Sequence, residues 1–403
     1  MTDMTDPADP ANSAVGAFAA PRLALFYGGF FLVIGVLMPF WPLWLQSRGL
    51  AAAEIGIVLA AGMWIKVLIN PFTSALADRL GERKRLIVGL SVMAFASFSL
   101  FAFAHGFWPV LMVSVLFFAF WAPMIPLGES LTMLTAARRP LDYGRIRLWG
   151  SLSFIIAAGT AGRIIAGRPV DVVYWLVLGA VGAAMGFCFL LPDVRAPKAP
   201  GRRLLILDVL RDRSFLILLA AAGMVQTSHA VYYAFGTLYW RAAGYSETVI
   251  GALWAEGVIA EIVLFAFSGL VVRRLGPARL LMLAGAAAMV RWGVIGSTTA
   301  LPALIAVQFL HAFTFGASHL AAVYFIARRV PQALSATAMA LYSSLVMGIG
   351  MGASLWAAGL LYADFGGRAY LAMAVLGFVG FGFAYWLRRR QTATDGDRRR
   401  KAA

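Results

Sequence analysis

A chain of 403 residues that is 61% hydrophobic and 13% charged, with a mean hydropathy of +0.81, is too apolar for a water-soluble globule. Its net charge of +16 is spread over alternate loops instead of forming one patch, which points to a lipid bilayer and argues against a nucleic-acid partner. Cys188 is the only cysteine, so an intrachain disulfide framework is excluded.

Residues 1–20 carry Asp3, Asp6 and Asp9 and lack a basic n-region, which predicts a disordered cytoplasmic leader and not a cleaved signal. Apolar runs of roughly 20 residues, enough to cross a bilayer as helix, then start near residues 22, 54, 85, 108, 146 and 171. They predict an N-terminal six-helix bundle over 21–192. The stretch DVRAPKAPGRRLLILDVLRDRS, residues 193–214, predicts a cytoplasmic linker. Six further runs start near 215, 248, 279, 302, 333 and 368, predicting a C-terminal six-helix bundle over 215–387 and a basic cytoplasmic tail over 388–403. The expected fold is an all-α membrane protein with twelve transmembrane helices in two pseudo-symmetric bundles. Barrel strands would alternate over about ten residues, and these runs do not.

If the N-terminus is cytoplasmic, 27 of the 34 Lys and Arg fall on cytoplasmic segments, and five (Arg48, Arg163, Arg168, Arg241 and Arg368) lie near the opposite face. This bias places both termini in the cytoplasm of a multi-pass protein.

The halves share a plan. A shift of 195 places Gly49 on Gly244, Ile55-Gly56 on Ile250-Gly251, Gly62 on Gly257, Arg79 on Arg274 and Leu80-Gly81 on Leu275-Gly276. Parallel repeats of this kind are a transporter plan, with the binding site near the midplane between them. The loop after the second span reads SALADRLGERKRL, in which Asp78, Arg79 and Arg83 can pair with carboxylates or with helix ends and Gly81 sits at the turn. It resembles the G-x-L-A-D-R-x-G-R-R signature of the major facilitator superfamily, with Ser74 and Glu82 as departures. The resemblance implies the two-bundle fold and a gating role for Asp78, Arg79, Gly81 and Arg83.

Four longer stretches, DYGRIRLWGSLSFI (142–155), SHAVYYAFGTLYWRAAGYS (228–246), IGALWAEGVIAEIVLFAF (250–267) and HAFTFGASHLAAVYFIARR (311–329), look like the phenylpropionate permease family of proton-coupled importers. That family is related to lactose permease and to nucleoside and oligosaccharide symporters. The sugar-binding Glu and Arg of lactose permease match Glu129 and Arg147 at the same separation of 18, and its coupling Arg and His match Arg291 and His311 at the same separation of 20. Its proton-carrying Glu falls on Thr314, so proton coupling here needs another carboxylate.

Ionisable side chains inside spans are costly and usually face a cavity, a partner or an ion path. Glu256 and Glu261 lie near the middle of the eighth span, about 140° apart around the helix, which predicts that only one faces the substrate path. At the 195 shift Glu261 falls on Lys66, opposite in charge. Glu261 is therefore the expected proton carrier, with Arg291, His311 and Glu129 as its coupling partners. An aryl carboxylate needs a cation and flat apolar walls. Lys66, Arg147, His229, Tyr232, Tyr233, Trp254 and Glu256 are the expected substrate-binding residues.

Neither a Walker loop, a hydrolase triad nor a metal box is present, so neither an enzyme nor a pump with a cofactor or metal is expected. The expected protein is a monomeric, proton-coupled importer of a small aromatic carboxylate such as 3-phenylpropionate, working by alternating access in a bacterial inner membrane. A nucleoside or oligosaccharide symporter is the alternative within transport. A non-transporting membrane sensor with a transporter fold is the alternative outside it.

Overall fold

The structure is a computed structural model that describes residues 18–138, 141–194 and 209–402. Most of the expected leader and residues 195–208 of the expected linker lie outside the described residues. Inside a bilayer a lone helix satisfies its own backbone, and every described long apolar run is helical. In the first half these are α1 (Ala19–Ser47), α2 (Ala52–Leu80), α3 (Arg83–Ser99), α4 (Phe107–Trp121 continued by Met124–Arg138), α5 (Tyr143–Ile165) and α6 (Val172–Phe189). In the second half they are α7 (Arg213–Thr227 continued by Ala230–Ala242), α8 (Glu247–Ala266), α9 (Ser268–Ser297), α10 (Leu301–Gln308 continued by Ser318–Arg329), α11 (Gln332–Ser344 continued by Met351–Phe365) and α12 (Ala369–Ala402). Helical structure runs from Thr337 to Thr392, but a turn at Gly366, with φ of +52°, divides α11 from α12 and gives twelve spans.

The interruptions have local causes. Pro123 lacks the N–H that would continue α4, which breaks at residues 122–123. In α7, Thr227 and Ser228 turn their hydroxyls onto the carbonyls of Gly223 and Val225, at 2.8 and 2.6 Å, next to the break at 228–229. α10 and α11 each contain a π-helical turn, Ala312–Ala317 and Leu345–Gly350. The repeat-related glycines Gly81 and Gly276 both take a positive φ, +71° and +70°, but differ in ψ, 3° and 165°: Gly81 ends α2 in the left-handed conformation before α3, and Gly276 kinks α9 after residues 268–275.

α1 starts at the linker end of the molecule and runs to the far end. At the far end of the first bundle Trp41 and Trp44 stack at 4.4 Å, and Arg48 joins Asp171 at 3.0 Å and His105 at 3.3 Å, tying three loops together. Cys188 of α6 is buried.

The bundles meet along two seams, α2 against α11 and α5 against α8. Glycine makes both possible. A Cβ on Gly56 would stand 2.8 Å from the Gly359 Cα, and one on Gly359 would stand 2.9 Å from the Ala52 carbonyl oxygen. Gly162 likewise lies against the Glu247 carbonyl, and Gly251 against that of Ala158. Gly56 and Gly251 are partners in the internal repeat, so the two seams are copies of one contact. All four glycines lie in the half away from the linker, and the molecule is closed at that end.

Candidate functional site

Arg291 of α9 is the centre of the polar interior of the second bundle. Its side chain is fully buried, lying 4.5 Å over Trp292 and 4.8 Å over Tyr232. It donates from Nη2 to Gln308 Oε1 (2.7 Å) and from Nη1 to His311 Nδ1 (2.9 Å) and Thr314 Oγ1 (3.0 Å). All three partners come from α10. None is a carboxylate, and Arg291 Nε is buried without a partner.

The donors fix the histidine tautomers. Guanidinium nitrogens only donate, so His311 Nδ1 is the acceptor and the ring proton sits on Nε2. That nitrogen is 3.6 Å from Glu261 Oε2. His229 Nδ1 lies 3.0 Å from the Gln226 carbonyl and must donate to it, leaving Nε2 to accept from the Thr314 hydroxyl at 3.0 Å. One hydrogen-bonded path thus runs His229–Thr314–Arg291–His311, with Glu261 at its end. Gln308, His311 and Thr314 lie three residues apart along α10 and reach one guanidinium, Thr314 from within the π-turn, and such turns recur at functional sites.

Glu256 and Glu261 diverge around α8 as their spacing requires. Glu261 faces His311 and, across the gap between bundles, lies within electrostatic range of Arg147. Glu256 lies within electrostatic range of Arg291 and Tyr232 of its own bundle, and its Oε1 is buried without a hydrogen bond. The two carboxylates therefore address the two ends of one Arg291–His311 pair.

The aromatic residues divide by burial. Tyr232 stacks on Trp254 at 4.2 Å, Trp254 Nε1 donates to Thr237 at 3.2 Å, and both rings are closed into the bundle core. His229 is equally enclosed. Tyr233 stacks on His229 at 5.4 Å and is only half-buried, so of this group it alone combines a ring with access.

In the first bundle, Glu129 of α4 lies beside Tyr143 and within electrostatic range of Arg147. Arg147 packs 4.1 Å over the Phe31 ring and lies within electrostatic range of Glu261 and His319 of the other bundle. Lys66 of α2 is half-buried and has neither a hydrogen bond nor an ion pair among the described residues. The loop after α2 is a separate assembly. Arg83 bonds Asp78 at 2.7 Å and Ser130 at 2.8 Å, locking the start of α3 to α2 and α4, while Arg79 points outward without a described partner.

Sequence reasoning passed over Gln308 and Gln226 and treated Thr314 only as the position where an acid is missing. The available signal was polar spacing on the tenth span, at 308, 311 and 314, three residues apart. Arg291→Gln is expected to strand the acceptors of Gln308, His311 and Thr314 and to cost about 3 kcal/mol. The check is the thermal midpoint of purified protein, and an unchanged midpoint would show that these bonds do not hold the bundle.

The MFS_1 like family matches residues 21–372. The probable 3-phenylpropionic acid transporter of Escherichia coli (strain K12) is 35% identical over 365 residues, 88% of this chain and 94% of that one. Lactose permease of Citrobacter freundii is 28% identical over 311 residues, 70% of this chain and 73% of its own. The crystal structure of nucleoside transporter NupG superposes with a TM-score of 0.79 at 14% identity, over 92% of this chain and 98% of that one, a likeness of fold alone.

Proposed function

The chain belongs to the MFS_1 like family, a family of membrane transporters and not of enzymes, and from that premise we propose that it imports a small aromatic carboxylate such as 3-phenylpropionate together with protons. The observation that carries the proposal is the Arg291–His311–Glu261 arrangement. A proton arriving at His311 Nδ1 would meet the guanidinium 2.9 Å away, a like charge in a medium that screens poorly. Glu261 takes it instead, at the only carboxylate next to His311 among the described residues. Alternating access then moves Arg147 of the first bundle toward or away from Glu261 and changes how tightly the proton is held at each face.

The substrate anion goes to Lys66, an ammonium in a span with no counter-ion among the described residues, since an intramembrane charge calls for a partner. Arg147 is the second cation, and Tyr233 is the ring wall. The name carried by the 35% identical relative favours an aryl acid over other anions. Glu129, Tyr143 and Arg147 support a second reading, symport of a sugar or nucleoside, because a carboxylate, a phenol and a guanidinium together recognise hydroxyl groups. Asp78, Arg79, Gly81 and Arg83 serve the conformational change and do not touch substrate. In this reading the protein works as a monomer in a bacterial inner membrane, and its arginine-rich linker-side loops favour cytoplasmic termini.

Uptake into proteoliposomes under an imposed pH gradient, with aryl acids, nucleosides and sugars in parallel, tests the reading. Aryl-acid flux accompanied by protons is expected. Flux of a sugar or nucleoside alone rejects the substrate class, and aryl-acid flux without proton movement rejects symport. Lys66→Gln is expected to weaken aryl-carboxylate binding about tenfold, the loss of one charge-assisted hydrogen bond, while leaving an uncharged amide analogue unaffected in the same titration. Equal losses for both ligands would remove Lys66 from the site.

A further inference from the structure

Arg328 and Arg329 end α10, Arg390 lies near the end of the hydrophobic part of α12, and Asp212 and Ser214 open α7. With Phe325 they line a cavity of about 340 Å³ at the linker end of the second bundle. Among the described residues three guanidinium groups and one carboxylate line it, and Asp212 Oδ1 already accepts from the Ser214 N–H at 2.8 Å. Arg328 and Arg329 alone outnumber that carboxylate, so the described lining is positive, and its guanidinium groups come from two helices that are far apart in sequence.

Its depth is marked independently. Tyr385 and Trp386 of α12, 46% and 50% exposed, form the kind of aromatic pair that sits at the level of lipid headgroups. Arg390 follows Trp386 by four residues, just over one helical turn and about 6 Å along the axis, which places the cavity mouth at the phosphate layer. Forked guanidinium donors match the oxygens of a phosphate better than those of a diffuse counter-ion, and basic pockets between helix ends at this depth suit anionic headgroups.

We propose that this cavity binds the phosphate of an anionic phospholipid, joining the linker-side ends of α7, α10 and α12. A soluble phosphate offers the same chemistry, but the aromatic pair places the mouth in the bilayer. The proposal is independent of what is transported.

The test measures the thermal midpoint of full-length protein in a neutral detergent, titrated with phosphatidylglycerol, phosphatidylcholine or inorganic phosphate. Native mass spectrometry counts bound lipid alongside. For the unaltered protein, phosphatidylglycerol is expected to raise the midpoint in a saturable way, with one lipid retained and an apparent affinity at least tenfold above that for phosphatidylcholine. R328Q/R329Q/R390Q should lose that preference. R213Q/R388Q/R389Q, which removes the same charge from the same end but outside the cavity lining, should keep it. Equal lipid responses in the two triple variants, or no preference in the unaltered protein, overturn the proposal. Full stabilisation by inorganic phosphate overturns the lipid as occupant. If the pocket triple does not fold, R390Q alone is read by lipid retention in the mass spectrum, and retention equal to that of the unaltered protein overturns the proposal.

Discussion

Glu261→Gln is expected to abolish uptake driven by a pH gradient while leaving exchange of substrate across the membrane intact. An amide keeps the size and hydrogen-bonding reach of the side chain beside His311 but cannot take up or release a proton. Net import requires release on every cycle, whereas exchange does not. The loss should reach roughly 100-fold, the lower end of what removing a proton-transferring group costs. Binding of the aryl acid, followed by tryptophan fluorescence, should change little, because the proposed anion partner is Lys66 on another helix. Retention of gradient-driven uptake by this variant would return the proton to another group. Glu256→Gln supplies the contrast: its carboxylate addresses Arg291 from within the bundle, so its removal should act mainly on stability.

Equally large is the expected effect of filling the seams. Gly56→Trp combined with Gly251→Trp places two bulky side chains where even a Cβ finds backbone, at Gly359 and at Ala158. Overpacking costs roughly 1–3 kcal/mol per site. The closed far end alone bears this cost, so the pair should shift the conformational balance by about two orders of magnitude toward the form open at that end. Transport should stop while substrate binding persists. Spin-label distances across the far end should lengthen, and a wild-type distance together with a wild-type transport rate would show that the seams do not control the closed form.

How much of this was legible in the sequence follows from the range of each interaction. Span number and the two-bundle plan are written locally, in run lengths and in the 195-residue repeat. Gly56 and Gly251, seen first as a sequence identity, turn out to be equivalent points of closest approach. Gly81 and Gly276, also matched by the repeat, share a positive φ that glycine adopts readily. The interior of the second bundle was read less well. Tyr232 and Trp254 looked like open walls, but helix rotation sets which face is enclosed, and a span apolar on all sides carries little rotational signal. Thr314 looked like a missing acid because it was weighed only as a carboxylate position, although its spacing of three from His311 already put both on one helix face, where both reach Arg291. Lys66 was visible as a charge, yet only the packed structure shows it without a described partner.

The lone thiol of Cys188 has a practical use. Because it is buried within α6, the native chain already behaves toward a bulky labelling reagent much as a cysteine-free background would. Cysteines introduced at the exposed far-end positions Ser47 and Ala300, one in each bundle, would then carry a fluorophore pair. Opening and closing of a single molecule could be timed in a lipid vesicle without first rebuilding its interior.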